Sequence, residues 1–316
     1  MRKPTILLTN FYPETALTLM KQELPGGFTL MALSQPGREE VYAQIAQADY
    51  ILAGGQITLD AEMLAAAQRL KMVQRTGVGL DKLDLKALKA KGIPLYVNAG
   101  VNAQSVAEHT LALIFATLRQ IPRADHSLKT GHWQRYALGL DSYELRGKTV
   151  GLIGLGHIGQ AVARCLSGFS VRLLYTAPRR APLTREQELH CQYCNFETLL
   201  RTADIISLHC PFDPTQTGWL LGASEIHQMK RGVILINTAR GQLIDPEALV
   251  QALQQQHIQA AGLDVFAHEP LPEHAPLLAC ENVVLTPHIA GLTRDAFRQM
   301  MRSAFQSIQD FEQGLS

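Results

Sequence analysis

Val150-Gly151-Leu152-Ile153 runs without a polar side chain into Gly154-Leu155-Gly156-His157-Ile158-Gly159, and Ile158, Ala161, Val162 and Leu166 then recur at helical spacing. A strand that turns tightly into a helix leaves main-chain N–H groups and the positive end of the helix dipole aimed at one spot, which suits a pyrophosphate. Gly154, Gly156 and Gly159 permit, in turn, the tight turn, the close phosphate approach and the strand–helix contact. Such a triplet alone is a weak signal. Between a strand and a helix it points to dinucleotide binding rather than to an ordinary turn.

The rest of the chain continues the same grammar. Short apolar runs alternate with helical patterns from end to end, which predicts an α/β protein with mostly parallel sheets. Strands are expected at Ile6–Leu8, Tyr50–Ala53, Met72–Gln74 and Leu95–Val97, with helices between them near Thr15–Glu23, Arg38–Ala46, Ala61–Ala67 and Leu83–Ala90. Further strands are expected at Thr149–Ile153, Val171–Tyr175, Ile205–Leu208, Val233–Asn237, Ala260–Leu263 and Val283–Leu285. Gln104 to Leu118 reads as one long helix passing from one domain to the other. The last helix, near Thr293–Gln313, places Phe297, Met301, Ala304, Phe305, Ile308 and Phe311 on one face, a docking face expected to pack on the N-terminal part. At 316 residues the chain suits two domains.

Several function classes drop out on charge and hydropathy. Lys and Arg total 29 against 28 Asp and Glu, and the longest basic run is Pro178-Arg179-Arg180, so a nucleic-acid surface is not expected. No apolar run approaches the roughly 20 residues of a membrane helix. The short apolar run after Met1–Lys3 ends at Asn10, Pro13 and Glu14, too early for a signal peptide. Five scattered cysteines fit a reduced cytoplasm rather than a disulfide framework. Cys191-x-x-Cys194 lacks a second pair, so it is read as two free thiols in a loop and no metal is expected.

Nucleotide choice belongs at the end of the strand after the glycine turn. There an Asp or Glu roughly 20 residues on accepts hydrogen bonds from the adenosine ribose. This chain has Tyr175-Thr176-Ala177-Pro178-Arg179-Arg180. Thr176 carries no charge to repel a 2′-phosphate, and Arg179 or Arg180 can pair with one. NADP(H) is therefore favoured over NAD(H); the plain alternative is a solvated basic loop.

Three later strand ends carry polar residues: Arg240 after Ile234-Leu235-Ile236-Asn237-Thr238-Ala239, Asp264 and Glu269 after Ala261-Gly262-Leu263, and His288 after Val284-Leu285-Thr286-Pro287. In a parallel sheet, ligands bind beyond the carboxyl ends of the strands, so Arg240, Glu269 and His288 should converge there. Hydride transfer to a ketone needs such a trio. The carbonyl oxygen becomes an alkoxide and needs a proton donor, which a histidine near neutral pKa supplies. A carboxylate beside it favours the imidazolium and orients the ring. A guanidinium grips a carboxylate or polarises the carbonyl. Singly, each has a plain reading as a surface arginine, a turn-capping glutamate or a core histidine.

These segments, taken in order, resemble the D-isomer-specific 2-hydroxyacid dehydrogenase family over nearly the whole chain. Gly154–Gly159, Asn237-Thr238-Ala239-Arg240-Gly241, Leu263–Phe266 with Glu269-Pro270, and Thr286–Gly291 carry the likeness. Arg75–Asp84, Asn98–Asn102 with Ser105–Glu108, and Gly131-His132-Trp133 add to it. The resemblance implies two Rossmann-like or flavodoxin-like domains with parallel sheets. A cofactor domain over 101–289 is inserted in a substrate domain made of 1–100 and 290–316. It implies Arg240 as substrate binder, Glu269 as partner of the histidine and His288 as acid/base. It also implies cofactor contacts from His157, Ile158, Thr238, Ala239, Arg240, Asp264, His288 and Gly291, and substrate contacts from Arg75 and from the main chain at Val78 and Gly79.

The activity implied is reduction of a small 2-keto acid such as glyoxylate or hydroxypyruvate to the D-2-hydroxy acid with NADPH, in a cytoplasmic homodimer. Thr176 stands where NAD-preferring members carry an acid. The runner-up is an NAD-dependent phosphoglycerate dehydrogenase-like enzyme: Arg75 resembles a phosphate-binding arginine of that subgroup, although no C-terminal regulatory domain follows in this sequence. Formate dehydrogenases of this fold carry Gln where Glu269 stands. A nucleotide-sensing, corepressor-like binding protein is the alternative from another class.

Overall fold

The computed structural model describes residues 2–315 other than Val78, Pro214 and Gln216. The chain divides into two compact units, Met1–Asn102 with Leu292–Ser316, and Ala103–Gly291. Each carries its own all-parallel sheet, the α/β class expected from the alternation of apolar runs and helical patterns.

In the first unit the elements run β1 (Thr5–Leu8), α1 (Glu14–Glu23), β2 (Thr29–Met31), α2 (Arg38–Ile45), β3 (Tyr50–Ala53), α3 (Ala61–Ala66), β4 (Met72–Arg75), α4 (Leu85–Ala90) and β5 (Leu95–Val97). Strand order is β2-β1-β3-β4-β5, the flavodoxin-like arrangement. Successive side chains of a strand point to opposite faces, so Leu7, Ile51, Ala53 and Val73 enter one core with α2 and α3. Ile6, Leu8, Tyr50, Leu52 and Met72 face the other way.

In the second unit α5 (Ala103–Leu118), α6 (Ile121–Lys129) and α7 (Arg135–Leu140) precede β6 (Thr149–Ile153). Then follow α8 (His157–Leu166), β7 (Arg172–Thr176), α9 (Leu183–Glu188), β8 (Cys191–Tyr193), α10 (Phe196–Thr202), β9 (Ile205–Leu208), α11 (Ala223–Gln228), β10 (Val233–Asn237), α12 (Pro246–Gln254), β11 (Ile258–Leu263) and β12 (Val283–Leu285). The sheet order β12-β11-β10-β9-β6-β7-β8 reverses direction between β9 and β6, the switch point beside which such sheets bind nucleotides. One row of paired residues crosses it: Thr176, Ile153, Leu208, Asn237, Leu263 and Leu285. Every loop that follows this row leaves from the same edge.

Two strands differ from the sequence reading. β2 was unassigned, and β8 corrects the expected loop around Cys191 and Cys194: Cys191 opens a short strand, buried, and the Cys194 N–H donates to Tyr175 O at 2.9 Å. Both thiols are free. β2 and β8 are edge strands of three residues with mixed burial, so neither shows the uninterrupted apolar run of a central strand. Among the described residues no helix is long and apolar enough to cross a membrane, and no group of three or more His, Cys, Asp or Glu side chains could hold a metal ion.

The chain returns to the first unit through α13 (Arg294–Glu312), which Thr293 caps by accepting from Ala296 N. Phe297, Met301, Ala304, Phe305 and Ile308 recur every three or four residues and bury against Ile6, Leu8, Tyr50, Leu52 and Met72. Phe305 is 1% exposed. Phe305→Ala should therefore cost about 3–5 kcal/mol, read as a lower denaturant midpoint for the first unit. A midpoint equal to that of the parent chain would show that α13 does not carry this core.

Candidate active site

The glycine turn is built by contacts that no larger residue permits. Gly154 has φ +105°, and a Cβ on it would lie 2.5 Å from His209 O. On Gly159 a Cβ would lie 2.3 Å from Gly154 O, so the third glycine lets α8 close against the end of β6. A Cβ on Gly156 would meet nothing within 4 Å, and no side chain caps the helix that starts there. The first glycine makes the turn, the third seats the helix, and the middle one leaves main chain open at a helix N-terminus. That cradle fits a pyrophosphate. His157 is exposed and Ile158 half-buried beside it. Behind the turn, His209 accepts or donates one bond with Ser207 Oγ at 2.8 Å, and burial pushes its imidazole down to about 3. It is a neutral packing group.

Thr176 ends β7 in register with Ile153, and its carbonyl accepts from Gly154 N at 2.9 Å. Thr176, Ala177 and Pro178 follow one another at that strand end, none of them acidic. The two following arginines are both exposed and differ in partner: Arg180 donates to Glu186 from Nε and Nη2.

The other end of the edge holds the trio. His288 Nδ1 lies 2.7 Å from Glu269 Oε2, and Glu269 Oε1 accepts from Phe266 N at 3.0 Å. The bond from Glu269 raises the His288 pKa above the usual histidine value. Burial and Arg240 oppose the rise, and the Glu269 and Asp264 charges add to it. For Glu269, burial pulls the carboxyl upward, but the bonds from His288 and Phe266 N outweigh it and leave the pKa below the usual value. Arg240 is close enough to act electrostatically on both partners. Its Nη1 donates to Ala239 O at 2.7 Å. The three residues meet because the loops after β10, β11 and β12 leave one row of the sheet.

Supporting residues shape those loops. Asn237 accepts from Ala239 N and donates to Arg240 O, both at 2.9 Å, which folds the 238–240 turn containing the buried Thr238. A Cβ on Gly241 would sit 1.9 Å from Phe266 C, so glycine there lets the arginine loop close on the loop that carries Glu269. Asp264 is fully buried. Its Oδ1 accepts from Thr286 Oγ1 at 2.6 Å and Ile289 N at 2.9 Å, and its Oδ2 from Ala290 N at 2.8 Å. His288 N donates to Asp264 O at 2.8 Å, and His288 has φ +55°. Helix α5 completes the frame. Ser105 Oγ donates to Ala290 O at 2.8 Å, His109 Nε2 lies 2.9 Å from Thr286 Oγ1, and Thr110 and Thr238 hydroxyls are 3.0 Å apart. Sequence reasoning passed over Asn237, Gly241, His109 and Thr286. Asn237, Gly241 and Thr286 stand in the segments that carry the likeness, a signal that could have found them; His109 gave none.

Gly291 closes the second unit, half-buried. The expected substrate residues Arg75 and Gly79 belong to the first unit, where Arg75 is buried and donates from Nε to Gly79 O at 2.7 Å and from Nη1 to Ala53 O at 3.0 Å. Val78 lies outside the described residues.

The family described as D-isomer specific 2-hydroxyacid dehydrogenase, NAD binding domain, matches residues 111–290. A glyoxylate reductase of Thermofilum pendens is 37% identical over 98% of this chain and 91% of its own length. A D-3-phosphoglycerate dehydrogenase of Mycobacterium leprae is 44% identical over 83% of this chain, which spans about half (48%) of that relative's length. Among solved structures, the TT0316 protein of Thermus thermophilus superposes with a TM-score of 0.87 at 35% identity, covering 98% of this chain and 97% of that one.

The coupling between His288 and Glu269 sets a pH window. His288, held high, contributes stability that is complete below the usual histidine value and lost as pH rises through the raised one. Glu269, held low, contributes stability present above the usual carboxylate value and lost as pH falls through the lowered one. Both contributions are full between the two usual values. Titration of the His288 ring followed by NMR should give a pKa above that of an unperturbed histidine, and Glu269→Gln should bring it down. An unmoved His288 pKa in the variant would break the coupling.

Proposed function

The chain belongs to the D-isomer-specific 2-hydroxyacid dehydrogenase family, and from that premise we propose that it reduces a small 2-keto acid, such as glyoxylate or hydroxypyruvate, to the D-2-hydroxy acid with NADPH. The observation that carries the proposal is the 2.7 Å bond between His288 and Glu269 with Arg240 beside them. When bound, a nicotinamide dinucleotide supplies the hydride. The chain's own residues supply the rest. Glu269 keeps the His288 ring protonated and oriented, and His288 gives its proton to the oxygen that becomes the alcohol. Arg240 provides the fixed positive charge against which a keto-acid carboxylate or the developing alkoxide settles. Gly154, Gly156 and Gly159, with the first turn of α8 at His157 and Ile158, hold the pyrophosphate. Thr238, Ala239 and Gly291 would frame the nicotinamide end, with the buried Asp264 behind them holding the loop that ends at Gly291. Arg75, Val78 and Gly79 are proposed as substrate contacts from the resemblance.

NADPH is favoured because Thr176 places no carboxylate where one would accept the ribose hydroxyls and repel a 2′-phosphate. Oxidation of a phosphorylated hydroxy acid with NAD is the second reading, favoured by the 44% identity to a phosphoglycerate dehydrogenase. A homodimer accords with Trp133, Tyr136 and Leu140, which are 80%, 71% and 83% exposed on and beside α7. Five free cysteines accord with a reducing cytoplasm.

Mixed with NADPH and glyoxylate or hydroxypyruvate, the protein should consume nicotinamide absorbance faster than it generates it from NAD and 3-phosphoglycerate. His288→Asn should lower kcat by about 10²–10⁴-fold while NADPH affinity stays nearly constant. No absorbance change with any 2-keto acid would overturn the proposal, and an unchanged rate in the variant would remove the histidine from the chemistry. In sedimentation, Trp133→Glu should shift a dimer toward the monomer; a parent chain that is monomeric at micromolar concentration would contradict the assembly.

A further inference from the structure

The loop between β7 and α9 carries two adjacent arginines in unlike surroundings. Arg180 donates from Nε to Glu186 Oε1 and from Nη2 to Glu186 Oε2, both at 2.8 Å, a fork matched to a carboxylate. The Tyr175 hydroxyl donates to Glu186 Oε1 at 2.8 Å and accepts from Ala181 N at 2.8 Å. The Arg180 guanidinium lies 5.8 Å from the centroid of the Tyr193 ring. Tyr175 is fully buried and Glu186 is 7% exposed, so this clamp is anchored in the side of the sheet. The pair of bonds from Arg180, with that from Tyr175, holds the Glu186 carboxyl down at about 2 against the effect of burial, so it stays charged. Arg179 is exposed, with no hydrogen-bond or ion-pair partner among the described residues. The loop that holds both begins beside the glycine turn, where Gly154 N donates to Thr176 O.

The charges decide between the two arginines. Arg180 and Glu186 cancel each other at contact distance, so together they offer a phosphate little net attraction. A solvated basic loop would leave both guanidinium groups unpaired; here both side chains reach solvent, but Arg180, 53% exposed, is tied by two bonds to a carboxylate. We propose that Arg179 reads the 2′-phosphate of the adenosine ribose, and that the Glu186–Tyr175 clamp holds Arg180 out of that contact. The inference rests on the dehydrogenase reading and deepens it: Glu186, ten residues from Thr176 and outside the nucleotide edge, becomes a determinant of cofactor choice by positioning.

The test is calorimetric binding of adenosine 2′,5′-bisphosphate and of 5′-AMP to the full chain, which needs no turnover. The parent chain should bind the bisphosphate more tightly than AMP. Arg179→Ala should reduce that preference by about 10- to 100-fold, the range for a charge-assisted phosphate contact. Glu186→Gln should strengthen bisphosphate binding several-fold by releasing Arg180. Glu186→Gln combined with Arg180→Ala removes both charges of the pair and should keep the parent's preference. A double variant that loses as much preference as Arg179→Ala, a Glu186→Gln variant no tighter than the parent, or an Arg179→Ala variant with undiminished preference would each overturn the inference. Arg179→Ala alters an exposed side chain and decides the matter alone should the Glu186 variants not fold. Equal affinity of the parent chain for the two nucleotides overturns the inference and spares the dehydrogenase reading; binding of neither nucleotide nor NADPH ends both.

Discussion

A carboxylate that never meets solvent holds the chemistry of the second unit in place. A buried carboxyl without partners costs free energy, and one loop wraps around Asp264 to supply donors from Thr286, Ile289 and Ala290, with His109 Nε2 of α5 3.5 Å from its Oδ1. That wrapping sets the main-chain path through His288 and sustains its left-handed φ, a conformation that costs a non-glycine residue of order 1–3 kcal/mol. Asp264 therefore aims the imidazole, while Glu269 sets its charge. The two carboxylates divide the work by environment, one sealed and saturated, the other half-exposed and bonded to the ring it tunes.

The parallel sheet makes this division possible. Residues as far apart in sequence as Thr176 and Leu285 share one row across six strands, and each following loop delivers a polar group to the same edge. At one end of the row, open main chain at Gly156 suits an anion. At the other, Arg240 carries positive charge and the bond from Glu269 favours the protonated form of His288. Helix α5 fastens the second end by three hydroxyl or ring contacts, so rigidity comes from residues that do no chemistry themselves.

Much of this was legible in the sequence because central strands of a parallel sheet are buried on both faces and read as unbroken apolar runs. Thr149–Ile153, Ile205–Leu208 and Val233–Asn237 stand where the runs put them. The edge strands β2 and β8 were hidden because half-buried triplets such as Thr29-Leu30-Met31 carry no such signature. Polar residues past three successive strand ends pointed to Arg240, Glu269 and His288 jointly, although each alone reads as an ordinary surface, capping or core residue. Of the supporting groups, Asn237, Gly241 and Thr286 stood in the quoted motifs without a role, and His109 was not legible at all. His109 acts from a helix more than 150 residues before the loop it steadies, and nothing in its own neighbourhood marks it. Likewise the pair Arg179-Arg180 reads as two equal cations until the fold sets Glu186 against one of them.

The account reduces to a single titrating ring that gives a proton in one direction and takes it in the other. The most direct measurement is the pH dependence of turnover in both directions on one preparation. Reduction should fall as pH rises through the raised pKa of His288, oxidation of the hydroxy acid should fall as pH drops through it, and the two curves should share that inflection. Curves with no common inflection, or a reduction rate that climbs with pH across the same range, would contradict it.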